Sequence, residues 1–412
     1  MFVNYFKDDS RSSPINLAAG RLVLGFWVVW KTVWYDWSRH VETAYWTAAS
    51  TSFEWTIPVS APWLLTVEKW LLIGLAALFV VGYRIRVTAT AGSFLLAHLA
   101  TVRQTMVTSG ETSTMFIGSF MLLFFALYAE TDRLSIDGIS RTGSPSVESL
   151  VGRLRASADH RYPMPAMKYS LLLLAILYFS TGTSKVIDGN GLGFVAPDNL
   201  TRLVLVRSYV YPWHDVQLLV VDYPALGVLG GVGTLALELG FLIAVLVGTG
   251  FVPIVLGLIV FTLSNAALLG IFFVDNLFFF GLFVAFDRAH ARLALDRELD
   301  LVFDEQCEFC VRWLYPFRLL DVNETVTFHP QQDASNRYSD GGDVDLDRSI
   351  RVFDGADAYE GYDALRELLR QYRIFLPLVW VMGTPPARAV GQRGFKYIAD
   401  DQDGALSRQA EG

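Results

Sequence analysis

Seven long apolar runs constrain this chain more than any other feature of its sequence. They lie at about Ile15–Trp34, Trp63–Gly82, Val87–Val102, Met115–Tyr128, Met167–Ser184, Ala225–Gly248 and Val252–Phe286. A helix needs roughly 20 mostly apolar residues to cross the hydrocarbon core of a bilayer. The last run is too long for one helix and contains Asn265 and Asp275, so we predict two helices that meet near Gly270–Asp275. The sequence therefore predicts a polytopic α-helical membrane domain of about eight spans.

Composition and loop charges support this prediction and suggest an orientation. Only 18% of the residues are charged, against about 25% in an average soluble protein. No small-residue cleavage site follows the first apolar run closely, so we expect the first helix to be retained. Lysine and arginine are concentrated in alternate loops, which indicates the cytoplasmic side. We expect a multi-pass protein of the cell membrane, in contact with the lipid bilayer and with both termini in the cytoplasm.

The last quarter of the chain has a different charge balance. Residues 291–412 hold 22 acidic and 14 basic side chains, and they carry all of the net charge of −8. An acidic surface that contains almost no lysine suits high salt, because charge and its screening keep such a protein dispersed. The composition predicts a separate water-soluble domain and a halophilic source. It argues against a nucleic-acid partner.

The chain has two cysteines, Cys307 and Cys310. The apolar stretch Leu299–Phe303 predicts a buried strand, Asp304–Gln306 a turn, and the residues from Cys307 onwards a helix. A Cys-x-x-Cys pair at a helix start after a strand is typical of a thioredoxin-type redox site. The helix N-terminus favours a thiolate on the first cysteine, and the second lies one turn further on, where it can resolve a mixed disulfide.

Two other interpretations of the cysteine pair stay open. A structural zinc site needs four ligands, and His329 is the nearby histidine that could join the two cysteines. The cysteines could also be inert. The cytosol keeps thiols reduced, so a pair on that side is more often catalytic or sensing than structural. We therefore predict no metal, and a small α/β, thioredoxin-like domain over residues 298–403 that acts on a protein thiol or a quinone.

The same segment resembles the DCC family of predicted thiol-disulfide oxidoreductases. The resemblance rests on the pattern Asp304-x-x-Cys307-x-x-Cys310 after a strand, and on the later Gly361-x-x-Ala364-Leu365 helix. It covers about residues 300–403 and implies that Asp304, Cys307 and Cys310 are the catalytic residues. Glu305 departs from the family, which often has glycine at this position.

The helical part, residues 13–288, resembles the vitamin K-dependent γ-carboxylase-like transmembrane domain. Three blocks carry the resemblance, in the family's order: Ser13–Phe26, Ser135–Gly138 and Tyr178–Lys185. The resemblance implies that Lys185 is the base that deprotonates a reduced quinone, which would make a quinone the cofactor. A functional histidine of the carboxylase is replaced here by Thr114, and another histidine that the family often has after a phenylalanine is replaced by Thr262, which follows Phe261. These two differences argue against glutamate carboxylation itself.

Charged residues within spans are expensive and invite a functional interpretation. Arg21 and Glu238 lie deep in their predicted helices, so we consider them as cofactor-binding residues, with a structural ion pair as the alternative. Lys31 and Lys69 lie near helix ends, where we expect them to extend to the interface.

Three function classes result from these observations. The first is a membrane-bound thiol-disulfide oxidoreductase, and it has the most specific motif. The second is a carboxylase-like or quinone- or lipid-modifying enzyme with the cysteine pair as electron donor or sensor. The third is a binding or transport scaffold with a redox-sensing appendage.

Overall fold

The structure of the protein is a computed structural model. It describes residues 2–6, 11–34, 62–106, 111–141, 151–152, 154, 162–188, 191–208, 214–295, 297–305, 308–333 and 350–394. The chain divides into two compact units. The helical unit comprises Met1–Ile136 and Arg161–Ala285, and the C-terminal unit comprises Asp137–His160 and Phe286–Gly412.

Among the described residues, the helical unit consists of helices and one two-residue strand pair. Its elements are β1 (Arg11–Ser12), α1 (Pro14–Trp34), α2 (Pro62–Val81), α3 (Ile85–Met106), α4 (Glu111–Leu127), α5 (Ile136–Arg141, which runs into the C-terminal unit), β2 (Tyr162–Pro163), α6 (Pro165–Asp188), α7 (Pro197–Ser208), α8 (His214–Asp222), α9 (Pro224–Val247), α10 (Phe251–Leu269) and α11 (Val274–Gly281). Within the described residues, six helices are long and apolar enough to cross a membrane. They are Pro14–Trp34, Trp63–Val81, Ile85–Arg103, Pro165–Asp188, Pro224–Val247 and Phe251–Leu269.

The six helices coincide with six of the eight predicted spans, and the other two segments differ from the prediction. The fourth run forms α4, whose apolar stretch Ser113–Leu127 is shorter than the six. The last run breaks where the sequence predicts it, at Gly270, which ends α10 with a left-handed φ of 63°. The piece that follows, α11, has 8 residues. A helix of that length is about 12 Å long and cannot cross a core of about 30 Å.

The centre of the helical unit is a close contact between α1 and α4. Trp27 on α1 is fully buried. Gly118 on α4 faces its ring, and a Cβ atom at Gly118 would lie 2.1 Å from the Trp27 ring. The indole therefore fits because residue 118 has no side chain.

The C-terminal unit contains a four-stranded mixed sheet with helices around it. Its elements are α12 (Phe286–Leu293), β3 (Leu299–Phe303), α13 (Glu308–Leu320), β4 (Val326–Pro330), β5 (Arg351–Asp354), β6 (Asp357–Glu360), α14 (Gly361–Arg370) and α15 (Leu376–Met382). The strand order is β4-β3-β5-β6. β3 pairs in parallel with β4, and the other two pairings are antiparallel.

The sequence of β3 explains its central place in the sheet. Four of its five residues are buried, as expected for a strand that is covered on both faces. β3 and β4 pair from Leu299↔Val326 to Phe303↔Pro330. The carboxyl ends of these two strands therefore lie side by side, at the edge from which α13 starts. The helix expected at the Gly361-x-x-Ala364-Leu365 pattern is α14.

We predict that Gly118→Ala destabilises the helical unit by about 1–3 kcal/mol, the usual cost of overpacking a filled core. The added methyl group must displace the Trp27 ring, which is fully buried. The thermal midpoint of the purified full-length protein in detergent should fall.

Gly74→Ala is the matched control for this substitution. Gly74 lies within α2, and a Cβ atom there would meet nothing within 4 Å. Its midpoint should not fall, because alanine is favoured over glycine within a helix. Equal midpoints for Gly118→Ala and Gly74→Ala would contradict the close contact at Trp27.

Candidate functional site

The predicted redox motif lies at the carboxyl end of the central strand. β3 ends at Phe303, Asp304 and Glu305 follow it, and α13 begins at Glu308. Cys310 belongs to the first turn of α13. Cys307 lies outside the described residues. The described backbone thus has the predicted strand before the pair and a helix from Glu308 onwards, and the predicted turn and helix start at Gln306 and Cys307 lie outside the described residues.

Glu305 has a structural role that the family pattern does not indicate. Its Oε2 atom accepts a hydrogen bond of 2.9 Å from the backbone N–H of Gln331. Gln331 directly follows β4, so this bond ties the turn after β3 to the end of the neighbouring parallel strand. A glycine at position 305, which is common in the resembling family, could not make this connection.

His329 lies on β4 but is engaged by an acidic residue of β3. Its Nε2 atom lies 2.8 Å from Oδ1 of Asp300. In the part of the chain that the structure describes, no group of three or more histidine, cysteine, aspartate or glutamate side chains could hold a metal ion.

The C-terminal unit can now be compared with known protein families. Residues 301–403 match the family model of the DCC1-like thiol-disulfide oxidoreductases. No curated protein and no solved structure matches the chain. The match confirms the resemblance found in the C-terminal sequence, and it extends over that part alone. The resemblance of the helical part to the γ-carboxylase-like domain stays a prediction.

Two residues with separate predicted roles form one ion pair. Lys185 lies in the last turn of α6 and Glu238 on α9. The Lys185 ammonium donates to both carboxylate oxygens of Glu238, at 2.6 and 2.7 Å. It also lies 5.7 Å from the centre of the Phe194 ring. Glu238 is buried, so Lys185 neutralises a carboxylate that would otherwise be isolated among apolar helices.

Arg21 is also held entirely by neighbours within the helical unit. Its guanidinium forms a buried ion pair with Asp132. It donates further hydrogen bonds to the carbonyl oxygens of Val80, at 3.2 Å, and Leu134, at 2.9 Å. These bonds connect α1 to the end of α2 and to the segment after α4. The arrangement matches the structural ion pair that we considered as the alternative to cofactor binding.

A third buried pair is absent from the sequence-based predictions. Lys31 does not extend to an interface: it is 7% exposed and donates to Oδ2 of Asp275 at 2.7 Å. Thr114 donates to the same oxygen at 2.7 Å, and the indole of Trp27 donates to Oδ1 at 2.8 Å. The spacing of four residues between Trp27 and Lys31, which places both on one face of α1, is the signal that could have revealed this cluster.

The helical unit also contains an apolar groove of about 320 Å³ between α7, α9 and α10. Glycines form much of its wall: Gly230, Gly231, Gly233 and Gly257. Polar side chains are few and include Asn199, Ser264 and Asn265. Phe194 lines the groove and also lies beneath the Lys185 ammonium. The groove therefore ends beside the Lys185–Glu238 pair.

We predict that Lys31 and Asp275 stabilise the helical unit as a coupled pair. Lys31→Met leaves a buried carboxylate without its partner, and Asp275→Asn leaves a buried ammonium without its partner. Each substitution should lower the free energy of unfolding by about 3–5 kcal/mol. The double variant removes both charges while the asparagine can still meet Trp27 and Thr114. Its loss of stability should be clearly smaller than the sum of the two single losses.

The measurement is a double-mutant cycle on the full chain in detergent, with unfolding followed by proteolysis or by temperature. Glu68→Gln, at a partly exposed contact with His98, is the control for loss of a less buried carboxylate. Additive losses in the Lys31 and Asp275 variants would show that the two charges do not interact.

Proposed function

We propose that this chain is a membrane-bound thiol-disulfide oxidoreductase whose reactive group is the pair Cys307 and Cys310. The match of residues 301–403 to the DCC1-like thiol-disulfide oxidoreductases is the observation that carries the proposal. The cysteines lie within the matched segment and are the two cysteines of the chain. The activity is thus assigned to the C-terminal unit.

The backbone around the pair supports a thioredoxin-like arrangement. β3, α13 and β4 form a β-α-β unit with parallel strands. A Cys-x-x-Cys motif near such a unit is typical of thioredoxin-like redox proteins. The first turn of α13 has backbone N–H groups without partners inside the helix, and these N–H groups and the helix dipole favour negative charge on a nearby sulfur.

The proposed chemistry is thiol-disulfide exchange in two steps. The Cys307 thiolate attacks one sulfur of a substrate disulfide, that S–S bond breaks, and the other substrate sulfur leaves as a thiolate. The Cys310 thiolate then attacks the Cys307 sulfur and releases the second substrate thiolate. The substrate gains two electrons, and the cysteine pair loses two and becomes a disulfide. The reverse sequence oxidises a substrate dithiol.

Membrane location is the second part of the proposal. The six helices that are long and apolar enough to cross a bilayer support it. The distribution of lysine and arginine favours cytoplasmic termini, which would place the cysteine pair in a reducing compartment. A reporter enzyme fused after Gly412 tests the orientation, because it should be active on the cytoplasmic side alone.

We predict that Cys310→Ser traps substrates as mixed disulfides on Cys307. Without the resolving thiol, the intermediate of the first step cannot be released internally. Cells that express this variant should show new high-mass bands on non-reducing gels, and reductant should remove them. Mass spectrometry of the bands would identify the substrates.

Cys307→Ser is the matched control, because it keeps one cysteine in the same motif. It should give few or no such bands, and the double variant none. If Cys307→Ser trapped partners and Cys310→Ser did not, the roles of the two cysteines would be reversed.

A second candidate function is binding or modification of a quinone or another isoprenoid or acyl lipid by the helical unit. The groove between α7, α9 and α10, with the Lys185–Glu238 pair at its end, favours it. Its volume of about 320 Å³ lies at the lower end of ligand sites, which span about 300–1,000 Å³. Lys185 donates to Glu238 in the structure, so its use as a base would require the pair to open.

We predict that Gly233→Leu reduces the amount of lipid or quinone that co-purifies with the protein. A Cβ atom at Gly233 meets nothing within 4 Å, so the new side chain can occupy the groove without a clash. Gly74→Leu is the control, since Gly74 also faces open space but lies on α2, outside the groove. Extraction and mass spectrometry should show loss in the first variant alone. Equal amounts in both would exclude the groove as the binding site.

A further inference from the structure

The segment that follows α14 exposes large apolar side chains in the C-terminal unit. Five of them are exposed: Ile374, Leu376, Leu378, Trp380 and Val381. Trp380 is 76% exposed, whereas Val379 is 5% exposed. Continuous apolar surface of this kind on a folded unit marks a protein or membrane interaction site.

The exposure is imposed by the way in which α15 is attached to α14. The Tyr362 hydroxyl donates to the carbonyl oxygen of Met382 at 3.2 Å, and Nε of Arg366 donates to that of Val379 at 3.4 Å. Val379 is the residue that α15 buries. The helix is therefore fixed by one side, and its remaining apolar side chains point away from the unit.

The charge of this surface differs from that of the rest of its unit. Residues 371–394 contain three arginines, Arg373, Arg388 and Arg393, and no acidic residue. They belong to a part of the chain, residues 291–412, in which acidic residues outnumber basic ones by 22 to 14. Arg373 and Arg393 are exposed, and Arg388 forms an ion pair with Asp363 at 2.7 Å. The surface is thus apolar and basic on an otherwise acidic unit.

The length of the segment determines whether it could cross a bilayer or lie at its surface. The apolar helical stretch Arg373–Met382 is about 15 Å long at 1.5 Å per residue, half of what is needed to cross the core. Short apolar helices with arginines beside them lie in the plane of the interface, about 5–10 Å deep. Tryptophan is enriched at this level of the membrane.

We propose that residues 373–394 bind the surface of the lipid bilayer. The five exposed apolar side chains enter the boundary between headgroups and acyl chains, and Arg373 and Arg393 contact anionic headgroups. The proposal rests on the membrane location proposed above and adds a second attachment to it. The cysteine pair is then held near the membrane surface, and its substrates are thiols or disulfides close to the bilayer.

The test uses the full chain in vesicles of lipids with brominated acyl chains, which quench tryptophan fluorescence on contact. The chain has 11 tryptophans, so the contribution of one is measured as the difference between parent and variant. The fluorescence that is lost in Trp380→Phe is the contribution of Trp380, and the brominated lipids should quench more than half of it. Trp313→Phe is the matched control, because Trp313 is also exposed, at 52%, in the same unit, and its difference should stay unquenched.

The charge part of the proposal is tested with Arg373→Gln and Arg393→Gln. Each arginine near an anionic membrane raises the ratio of membrane-bound to unbound residues 373–394 about fivefold. Quenching of Trp380 should therefore fall in each variant when the vesicles contain anionic lipid. In vesicles of zwitterionic lipid alone, the variants and the parent should be alike.

Several outcomes would overturn the proposal. Unquenched Trp380 in a protein that resists extraction by alkaline carbonate would show that the helical unit is inserted and that the surface does not bind the bilayer. Loss of the protein on the same extraction would instead refute the membrane location itself. Protection of Trp380 that rises with protein density, without quenching by lipid, would show that a second copy covers the surface.

Discussion

A charge that is enclosed by apolar helices must find its partner within the bundle, and this requirement determines how the helical unit packs. Among the described residues, Asp275 illustrates it most fully. It receives hydrogen bonds from Trp27 and Lys31 on α1 and from Thr114 on α4, so one carboxylate on α11 joins three helices. Removal of one partner would leave a buried charge at a cost of several kcal/mol. Gly118 completes the site, because it leaves room for the ring of Trp27.

The same requirement bears on where chemistry can occur. In the helical part the sequence singles out Arg21, Lys185 and Glu238 for function, and all three are held in ion pairs, Arg21 with Asp132 and Lys185 with Glu238. A residue held in this way can act on a ligand if the pair opens or if the ligand replaces one partner. The chemistry of the cysteine motif does not require an ion pair to open. Thiol-disulfide exchange needs a cysteine at a helix start and a second cysteine one turn away. This difference agrees with the family match in placing the proposed activity in the C-terminal unit.

The sequence predicts those parts of the fold that depend on local pattern. Apolar runs of about 20 residues give the six long helices, and the polar residues near Gly270 give the break after α10. Pairings between distant residues could not be predicted, because they depend on which helices become neighbours. Lys31 shows the reason: its place near a helix end predicts contact with the interface, but the break at Gly270 brings Asp275 to the same level. In the C-terminal unit, β3 and α13 depend on local pattern in the same way, and the sequence predicts a strand at Leu299–Phe303 and a helix over the described residues from Glu308 onwards.

The acidic residues beside the cysteine pair have consequences for the direction of electron flow. Asp304, Glu305 and Glu308 flank Cys307 in the sequence, and negative charge opposes a thiolate whereas the start of α13 favours it. Redox pairs whose reduced form is strongly stabilised are strong oxidants, and these carboxylates work against such stabilisation. Glu305 is also engaged by the N–H of Gln331, so its position is set by the sheet. The acidic turn therefore favours the reductant over the oxidant end of the range, which agrees with the cytoplasmic orientation proposed for the pair.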